Sequence, residues 1–376
     1  MNKYIWERKN WFNFKYDEAA LLEPLSKLRV IQGKLLGQIK ALDIKLETEA
    51  QAAVLVEETV RTAEIEGQRL NRDAVRSSVA VKLGLPQGVG TYDRGADGLV
   101  DLLLDAVRFH DKALSLERLS RWQAALFPTG YSGLRKIRTG KLRGDEPMQV
   151  VSGPVGKEKV HFEAIPRERL EEEMLFFLKW WNSSLGRMDG ILRAAAAHLR
   201  FVTIHPYEDG NGRLARALTD MALAQDEDLR VRFYSISSQI MHKRDEYYKI
   251  LEDVQRNRVK ATQWFLWFIK CVSGSIEEAQ QIIGRVFMRA EFWHQNAQIE
   301  LNERQKKVIN RILEAGPGNF SGGVTTRKYV EITKISRATA FREIADMLDK
   351  KVLRQLSGKG RSVHYDLVWP KNKKNK

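Results

Sequence analysis

With 376 residues, 43% of them hydrophobic and 30% charged, the chain excludes a mainly disordered protein and predicts two or three domains, each with its own core. Its single cysteine, Cys271, excludes an internal disulfide framework and a cysteine-rich zinc site. A net charge of +15 is unevenly placed: residues 301–376 hold 18 Lys and Arg against 7 Asp and Glu, which points that region toward an acidic partner, nucleic acid first, with simple solubility as the alternative. The opening MNKYIWERKN carries charges where a signal peptide needs apolar residues, and the densest apolar run, residues 264–269, falls far short of the roughly 20 residues of a membrane span. A soluble, cytoplasmic protein is expected.

In chain order the pattern is overwhelmingly helical. Apolar residues recur every three or four positions through residues 21–55 (Leu25, Leu28, Ile31, Leu35, Ile39, Leu42, Leu46), with Pro24 placed in the first turn, where its missing N–H costs nothing. A second helix is predicted over 54–65, stopping at Gly67. Further helices are predicted over 99–116, 170–181 and 191–202. Residues 127–162, rich in Gly and Pro, interrupt them; within this stretch 148–152 and 159–162 flank Gly153-Pro154-Val155-Gly156 and predict a β-hairpin. A second Gly-rich stretch, 314–324, lies in the basic region. The division expected is 1–114, 115–275, 276–300 as a linker helix, 301–370, and a basic tail at 371–376.

Chemistry concentrates in residues 205–216, His-Pro-Tyr-Glu-Asp-Gly-Asn-Gly-Arg-Leu-Ala-Arg. Gly210, Asn211 and Gly212 at a helix entrance allow successive backbone N–H groups to converge, and the helix N-terminus adds partial positive charge, which together make an anion site. Arg213 and Arg216 share a face of that helix and can reach the same anion. Asp209 offers a hard oxygen to Mg²⁺, and His205 is a candidate general base. Taken singly, each has an ordinary reading as turn, loop or solvated arginine; their density within twelve residues favours nucleotide chemistry. No P-loop competes, because the Gly-Lys pairs at 33, 140, 156 and 358 are not followed by Ser or Thr.

This segment resembles the HPFx(D/E)GNGRxxR motif of the Fic/Doc family, with Tyr207 where Phe is usual. Upstream, Gly140-Lys-Leu-Arg143 and the 150–162 hairpin resemble the family's approach loop and flap, so the resemblance covers about residues 115–272. It implies transfer of AMP from Mg²⁺·ATP to a Ser, Thr or Tyr hydroxyl of a target protein, with release of pyrophosphate. His205 would deprotonate the hydroxyl and Asp209 would hold Mg²⁺. The amides of Gly210, Asn211 and Gly212 would cradle phosphates, Arg213 would face the leaving pyrophosphate, and Arg216 would grip the γ-phosphate of ATP. Tyr247 and Tyr248 are candidates for nucleoside contact, with burial in a helix interface as the alternative. Thr62-Ala-Glu-Ile-Glu66-Gly67 resembles the family's inhibitory motif (S/T)xxxE(G/N), which implies a Glu66–Arg216 pair that obstructs the γ-phosphate.

In the basic region, helices are predicted over 303–313 and 326–332, with a third capped by Ser336 and reaching 348, its Ala340, Ile344 and Met347 facing inward and Arg337, Thr339 and Arg342 outward. Strands at 352–356 and 363–368, joined by 357–362, complete a resemblance to a winged helix-turn-helix. The expected fold class is therefore mainly α: a helical Fic core with a β-hairpin flap, an N-terminal helical domain resembling those found ahead of Fic cores, and a C-terminal winged-helix domain. The expected partners are a hydroxyl-bearing protein target, DNA through the C-terminal domain, and a second copy in a homodimer, with no membrane. A nucleotide-sensing DNA-binding regulator and an enzyme that mainly removes AMP use the same residues and stay open.

Overall fold

A computed structural model describes residues 3–40, 44–86, 93–152, 159–320, 322–356 and 363–370. The fold is mainly α-helical, and the chain divides into two compact units, residues 1–279 and 280–376.

The first unit opens with a 3-10 turn, Ile5–Glu7, followed by α1 (Glu18–Lys40), α2 (Ile44–Ile65), α3 (Arg72–Leu83), α4 (Arg94–Arg108) and α5 (Leu116–Leu126). Two hairpins come next, β1 (Tyr131–Ser132) with β2 (Arg135–Lys136), and β3 (Gln149–Ser152) with β4 (Lys159–Glu163). Then α6 (Arg167–Ser183), α7 (Gly190–Ile204), α8 (Asn211–Glu227), α9 (Ile236–His242) and α10 (Arg244–Gln255) follow, and α11 (Ala261–Gln295) begins in this unit and continues past residue 279 into the second. Among the described residues no helix is long and apolar enough to cross a membrane.

The centre is α7. Every residue from Ile191 to Ile204 is buried, as expected of a helix surrounded by others. The run Ala194–Ala197 keeps its surface thin, and the polar side chains it buries are all engaged. Arg193 donates to Ser184 Oγ at 2.8 Å, to the Trp181 carbonyl at 2.9 Å and to Gln225 Oε1 at 2.8 Å. His198 lies between Thr219 Oγ1 at 3.0 Å and Tyr247 Oη at 2.8 Å, and burial pushes its pKa down to about 3, so it is neutral.

Several helix boundaries differ from those the sequence predicts. The break near residue 55 is absent: α2 runs unbroken from Ile44 to Ile65, and residues 41–43, between α1 and α2, lie outside the described residues. Because α1 begins at Glu18, Pro24 sits beyond the first turn, inside the helix. The predicted helix 99–116 is two elements, since Arg108 ends α4 and Ser115 caps α5 by accepting from the Arg118 N–H at 3.1 Å. The hairpin turn 153–156 also lies outside the described residues.

α2 is fastened along its length. Its buried Glu58 accepts from Ser235 Oγ at 2.7 Å, from the Ser237 N–H at 3.1 Å and from Ser237 Oγ, at the start of α9. At its end Gly67 takes φ 78°, a left-handed cap, and the Gln68 N–H returns to the Ala63 carbonyl at 3.0 Å. The Ile65 carbonyl accepts from Arg244 Nε at 2.9 Å and Tyr248 Oη at 3.1 Å.

The second unit contains α12 (Glu303–Ala315), α13 (Thr326–Thr333), α14 (Arg337–Asp349), and the antiparallel pair β5 (Leu353–Gln355) and β6 (Tyr365–Leu367), with an isolated bridge from Val324 to Tyr365. Asn302 and Gln305 form a reciprocal capping box on α12. Ser336 caps α14, and Ala340, Ile344 and Met347 are buried while Arg337 and Arg342 are exposed. The segment 357–362 and the tail 371–376 lie outside the described residues.

Glu58→Ala leaves the buried Ser237 N–H without its acceptor, so we expect a loss of about 2–3 kcal/mol in the stability of the first unit. Denaturant titration followed by tryptophan fluorescence measures it; a change below about 0.5 kcal/mol, the size of an ordinary surface substitution, would show that the clamp carries no weight.

Candidate active site

The site forms where α7 ends and α8 begins. His205 closes α7 with its N–H on the Phe201 carbonyl at 2.9 Å, while its φ of 53° turns the chain out of the helix. Its Nδ1 lies 3.3 Å from the Val202 carbonyl oxygen. A carbonyl only accepts, so Nδ1 carries the hydrogen and Nε2 keeps its lone pair. The ring is half-buried. Desolvation lowers its pKa below the ordinary histidine value, helped by the Arg143 guanidinium and opposed by the Val202 carbonyl, Glu66 and Asp209. The imidazole is therefore neutral at pH 7, as a proton acceptor must be.

Two devices hold the following loop. Buried Arg143 donates from Nε to the His205 carbonyl at 2.9 Å and from Nη2 to the Ile165 carbonyl, and its own N–H reaches the Pro206 carbonyl at 2.9 Å. The Asn211 side chain clamps Tyr207 from both sides, accepting from its N–H at 3.0 Å and donating to its carbonyl at 2.7 Å. This places the Asn211 side chain in loop structure, leaving only its backbone N–H for a ligand. Tyr207 is buried with Oη 3.3 Å from Ser120 Oγ, which gives the hydroxyl absent from phenylalanine a partner.

Gly210 takes φ 90° at the N-cap of α8, and no side chain caps that end. The first intrahelical bond is Leu214 N–H to the Gly210 carbonyl, so the N–H groups of Asn211, Gly212 and Arg213 have no acceptor within the helix. A Cβ on Gly212 would fall 2.1 Å from Glu66 Oε1. A carboxylate oxygen thus lies directly against the first turn of α8, where backbone dipoles favour negative charge.

The structure brings Glu66 and Arg216 together across 150 residues of chain. Arg216 has no exposed surface; it donates from Nε to Thr62 Oγ1 at 2.6 Å, and from Nη2 to the Thr62 carbonyl at 2.9 Å and Glu66 Oε1 at 2.8 Å. Arg213 is almost as buried, with Nη1 on Gln68 Oε1 at 3.1 Å, Nη2 3.6 Å from Asp209 Oδ1, and its guanidinium 4.8 Å from the Phe127 ring centre. Arg213 Nε and Arg216 Nη1 are buried with no hydrogen-bond partner among the described residues. Such donors point to an anion that is not part of this chain.

Asp209 is partly exposed; its Oδ1 accepts from the Gly210 N–H at 2.5 Å and its Oδ2 from Ser132 Oγ. Among the described residues no group of three or more His, Cys, Asp or Glu side chains gathers to hold a metal. One oriented carboxylate beside an anion cradle fits Mg²⁺, which is commonly bound by one or two carboxylates plus substrate phosphates.

The two tyrosines divide. Tyr247 is buried among Trp264, Trp267 and His198, and its hydroxyl is taken by His198 Nε2, so it belongs to the core beneath Arg216 and its ring is closed to a nucleoside. Tyr248 is half-exposed and ties its hydroxyl to the end of α2. Thr62, Gln68 and Ser132 also bear on the site, through Arg216, Arg213 and Asp209. Thr62 stands in the inhibitory-motif pattern, whereas Gln68 and Ser132 have no local signal.

Residues 113–223 match the Fic/DOC family, and residues 4–85 match a domain of unknown function, DUF4172. The chain carries a Fic/DOC family domain. It is similar to the protein adenylyltransferase fic-1 of Caenorhabditis briggsae, at 40% identity over 88 residues, or 23% of this chain, and to that of Caenorhabditis elegans, at 38% over 63 residues, or 16% of this chain. These matches span only 15% and 12% of the length of those relatives. A Fic family protein from Desulfovibrio desulfuricans shares the fold at TM-score 0.53 and 17% identity, covering 95% of this chain and 97% of that one. A Fic domain containing signaling protein from Bacteroides thetaiotaomicron does so at 0.52 and 17%, covering 68% and 96%.

Gly212→Ala drives a methyl group into the Glu66 carboxylate. We expect it to cost about 1–3 kcal/mol in the wild-type background, and distinctly less in Glu66→Gly, where the carboxylate is gone and Arg216 Nη1, 3.1 Å from the added Cβ, is the close neighbour that stays. A double-mutant cycle by thermal unfolding reads the coupling; additive losses would place Glu66 away from Gly212.

Proposed function

We propose that this protein transfers AMP from Mg²⁺·ATP to a hydroxyl side chain of a target protein and is held in check by Glu66. The observation that carries the reading is the carboxylate of Glu66 lodged against Gly212 and Arg216, beside a neutral His205. A chain carboxylate rests where a phosphate is favoured, and a proton acceptor stands next to it.

In the proposed reaction His205 Nε2 takes the proton of the target hydroxyl as its oxygen attacks the α-phosphorus. The bond from that phosphorus to the bridging oxygen breaks, and pyrophosphate leaves. Arg213 and Arg216 balance the charge of the β- and γ-phosphates, and the uncapped N–H groups of α8 receive the phosphate oxygens. Asp209 would hold Mg²⁺, which would supply further charge neutralisation. With Glu66 on Arg216, the γ-phosphate is denied that partner, so ATP binds through its other contacts with the α-phosphorus out of line.

Auto-labelling with α-labelled ATP tests this. Glu66→Gly should label strongly where wild type labels weakly at saturating ATP, and Arg216→Ala in the same background should remove the gain. Adding His205→Ala should lower the rate by about 10²-fold or more with ATP binding retained. Because the histidine pKa is depressed, the rate should hold as pH falls to 6.5 and decline only below it. Equal rates for wild type and Glu66→Gly would sink the inhibitory role, and undiminished transfer after His205→Ala would sink the mechanism.

For the second unit we propose a winged helix-turn-helix that contacts DNA, with α14 as the helix facing it. Support comes from the basic excess of residues 301–376 and from Arg337 and Arg342 exposed on that helix. In the full chain, affinity for duplex DNA should fall steeply with salt, and each arginine removed should reduce the slope of log K against log salt by about one. A shift insensitive to salt, or none, would favour a protein-binding role.

A further inference from the structure

The β3–β4 hairpin is fastened on one side. β4 contains an extra residue: Val150 pairs with Phe162 and Val151 with Val160, so His161 is bulged out of the ladder. Its ring reaches Glu252 Oε2 of α10, with Nδ1 at 2.7 Å. The freed carbonyls are captured from the same helix end, where Arg256 donates from Nε to the His161 carbonyl at 2.6 Å and from Nη2 to the Val160 carbonyl at 2.5 Å.

The other support comes from the start of the described chain. Trp6 Nε1 donates to the Glu163 carbonyl at 2.8 Å. Tyr4, buried to 2% exposure, meets Phe162 edge-on at 5.3 Å and stacks on Trp6 at 5.8 Å. Val150 of the facing strand and Met148 just before it pack on the same cluster. Arg169 sits over the Trp6 ring at 5.7 Å, and Arg256 lies 6.0 Å from that of Tyr4. Three of the five carbonyls of β4 are thus held by side chains from outside the hairpin. β3 has β4 as its one strand partner among the described residues, and its Gln149 and Val151 are exposed.

A hairpin of two short strands does not hold its own geometry in water. What braces it decides where its free edge lies. We propose that Tyr4 and Trp6 are positioning residues of the transfer reaction: they brace β4 so that β3 is held as the edge along which an extended segment of the target is laid toward His205. The proposal rests on the protein-target reading above and deepens it by assigning a task to the segment that precedes α1. Backbone pairing on an edge strand supplies affinity and register together, and a register error carries the target hydroxyl away from His205.

The test uses the full chain with Trp6→Phe, which removes one N–H and little volume, and Tyr4→Ala. Tyr4→Phe serves as the conservative control, because the buried Tyr4 hydroxyl has no hydrogen-bond partner among the described residues. Hydrogen exchange of residues 148–152 and 159–163 reports bracing directly, without any need for activity. Mg²⁺·ATP affinity by calorimetry reports the nucleotide side. Transfer is read in the Glu66→Gly background with the full-length His205→Ala chain as the acceptor.

We expect faster exchange confined to the hairpin, unchanged Mg²⁺·ATP affinity, and kcat/KM for the acceptor lowered about tenfold or more in Trp6→Phe and Tyr4→Ala, with Tyr4→Phe behaving as its parent. Unchanged exchange overturns the bracing. Faster exchange with undiminished transfer overturns the positioning role alone. If the Glu66→Gly parent transfers nothing, the transfer reading fails and this role goes with it, which the exchange data then separate from bracing as such.

Discussion

The buried guanidinium of Arg216 is the constraint around which the site is organised. A charge with no exposed surface is tolerable only if its donors are satisfied and a counter-charge lies near. Here the end of α2 provides both: the Thr62 hydroxyl and carbonyl, the Glu66 carboxylate, and the negative end of the helix dipole. The same contact therefore joins α2 to α8 and fills the anion position at α8. On the proposed reading, inhibition is the ordinary electrostatic solution for this arginine when phosphate is absent. The Thr62 bonds do not involve Glu66, so part of the guanidinium's support would remain when the carboxylate moves aside. One of its nitrogens has no hydrogen-bond partner among the described residues even with Glu66 in place, so the pairing leaves a donor for an incoming anion.

The 205–216 segment holds itself in shape before any ligand arrives. Arg143 holds the carbonyl of His205, Asn211 clamps Tyr207, and Gly210 admits the chain between Leu126 and Phe127 where a Cβ would come within 3.1 Å of both. None of these three contacts uses His205 Nε2 or the first N–H groups of α8. Structure is carried by one set of groups and the proposed chemistry is left to another, which is what preorganised transition-state stabilisation requires.

What was legible in the sequence follows from distance along the chain. His205, Asp209, the Gly210–Gly212 turn and Arg213 lie within a few residues of one another, so local periodicity and turn chemistry expose them. Glu66 and Arg216 are 150 residues apart, and in the sequence only the resemblance of residues 62–67 to the family's inhibitory motif links them; the fold brings them into contact. Helix interiors were readable from apolar spacing, as with Leu28, Leu35 and Ile39 of α1. Ends were readable where a residue marks them, as Gly67 does after α2 and Ser336 before α14, and not at the turn before Ser115, which carries no Gly or Pro. Tyr247 shows the limit of reading a side chain without its neighbours: two tryptophans and a histidine from other helices close around it. Gln68 and Ser132 act through single long-range hydrogen bonds, for which a sequence holds no periodic trace.

The two halves of the proposed reaction are thus served by different parts of the region ahead of the Fic domain. α2 carries its C-terminal turn to the phosphate side, while Tyr4 and Trp6 reach the hairpin on the target side. Both attachments depend on burial: Arg216 lies beneath α2, and Phe162 lies beneath Tyr4. They also differ in kind. The Glu66–Arg216 contact is charged, and on the proposed reading an anion competes with it for one place. The aromatic contact is apolar, with one indole N–H on a backbone carbonyl, and nothing in a nucleotide competes for it. On the proposed reading the Glu66 carboxylate gives way to an anion while α2 stays anchored through Glu58, Thr62 and the Ile65 carbonyl. On that reading the residues matching DUF4172 serve the Fic domain in two ways within one compact unit, exchange at Glu66 needs no movement of α2 as a whole, and the hairpin brace stays constant.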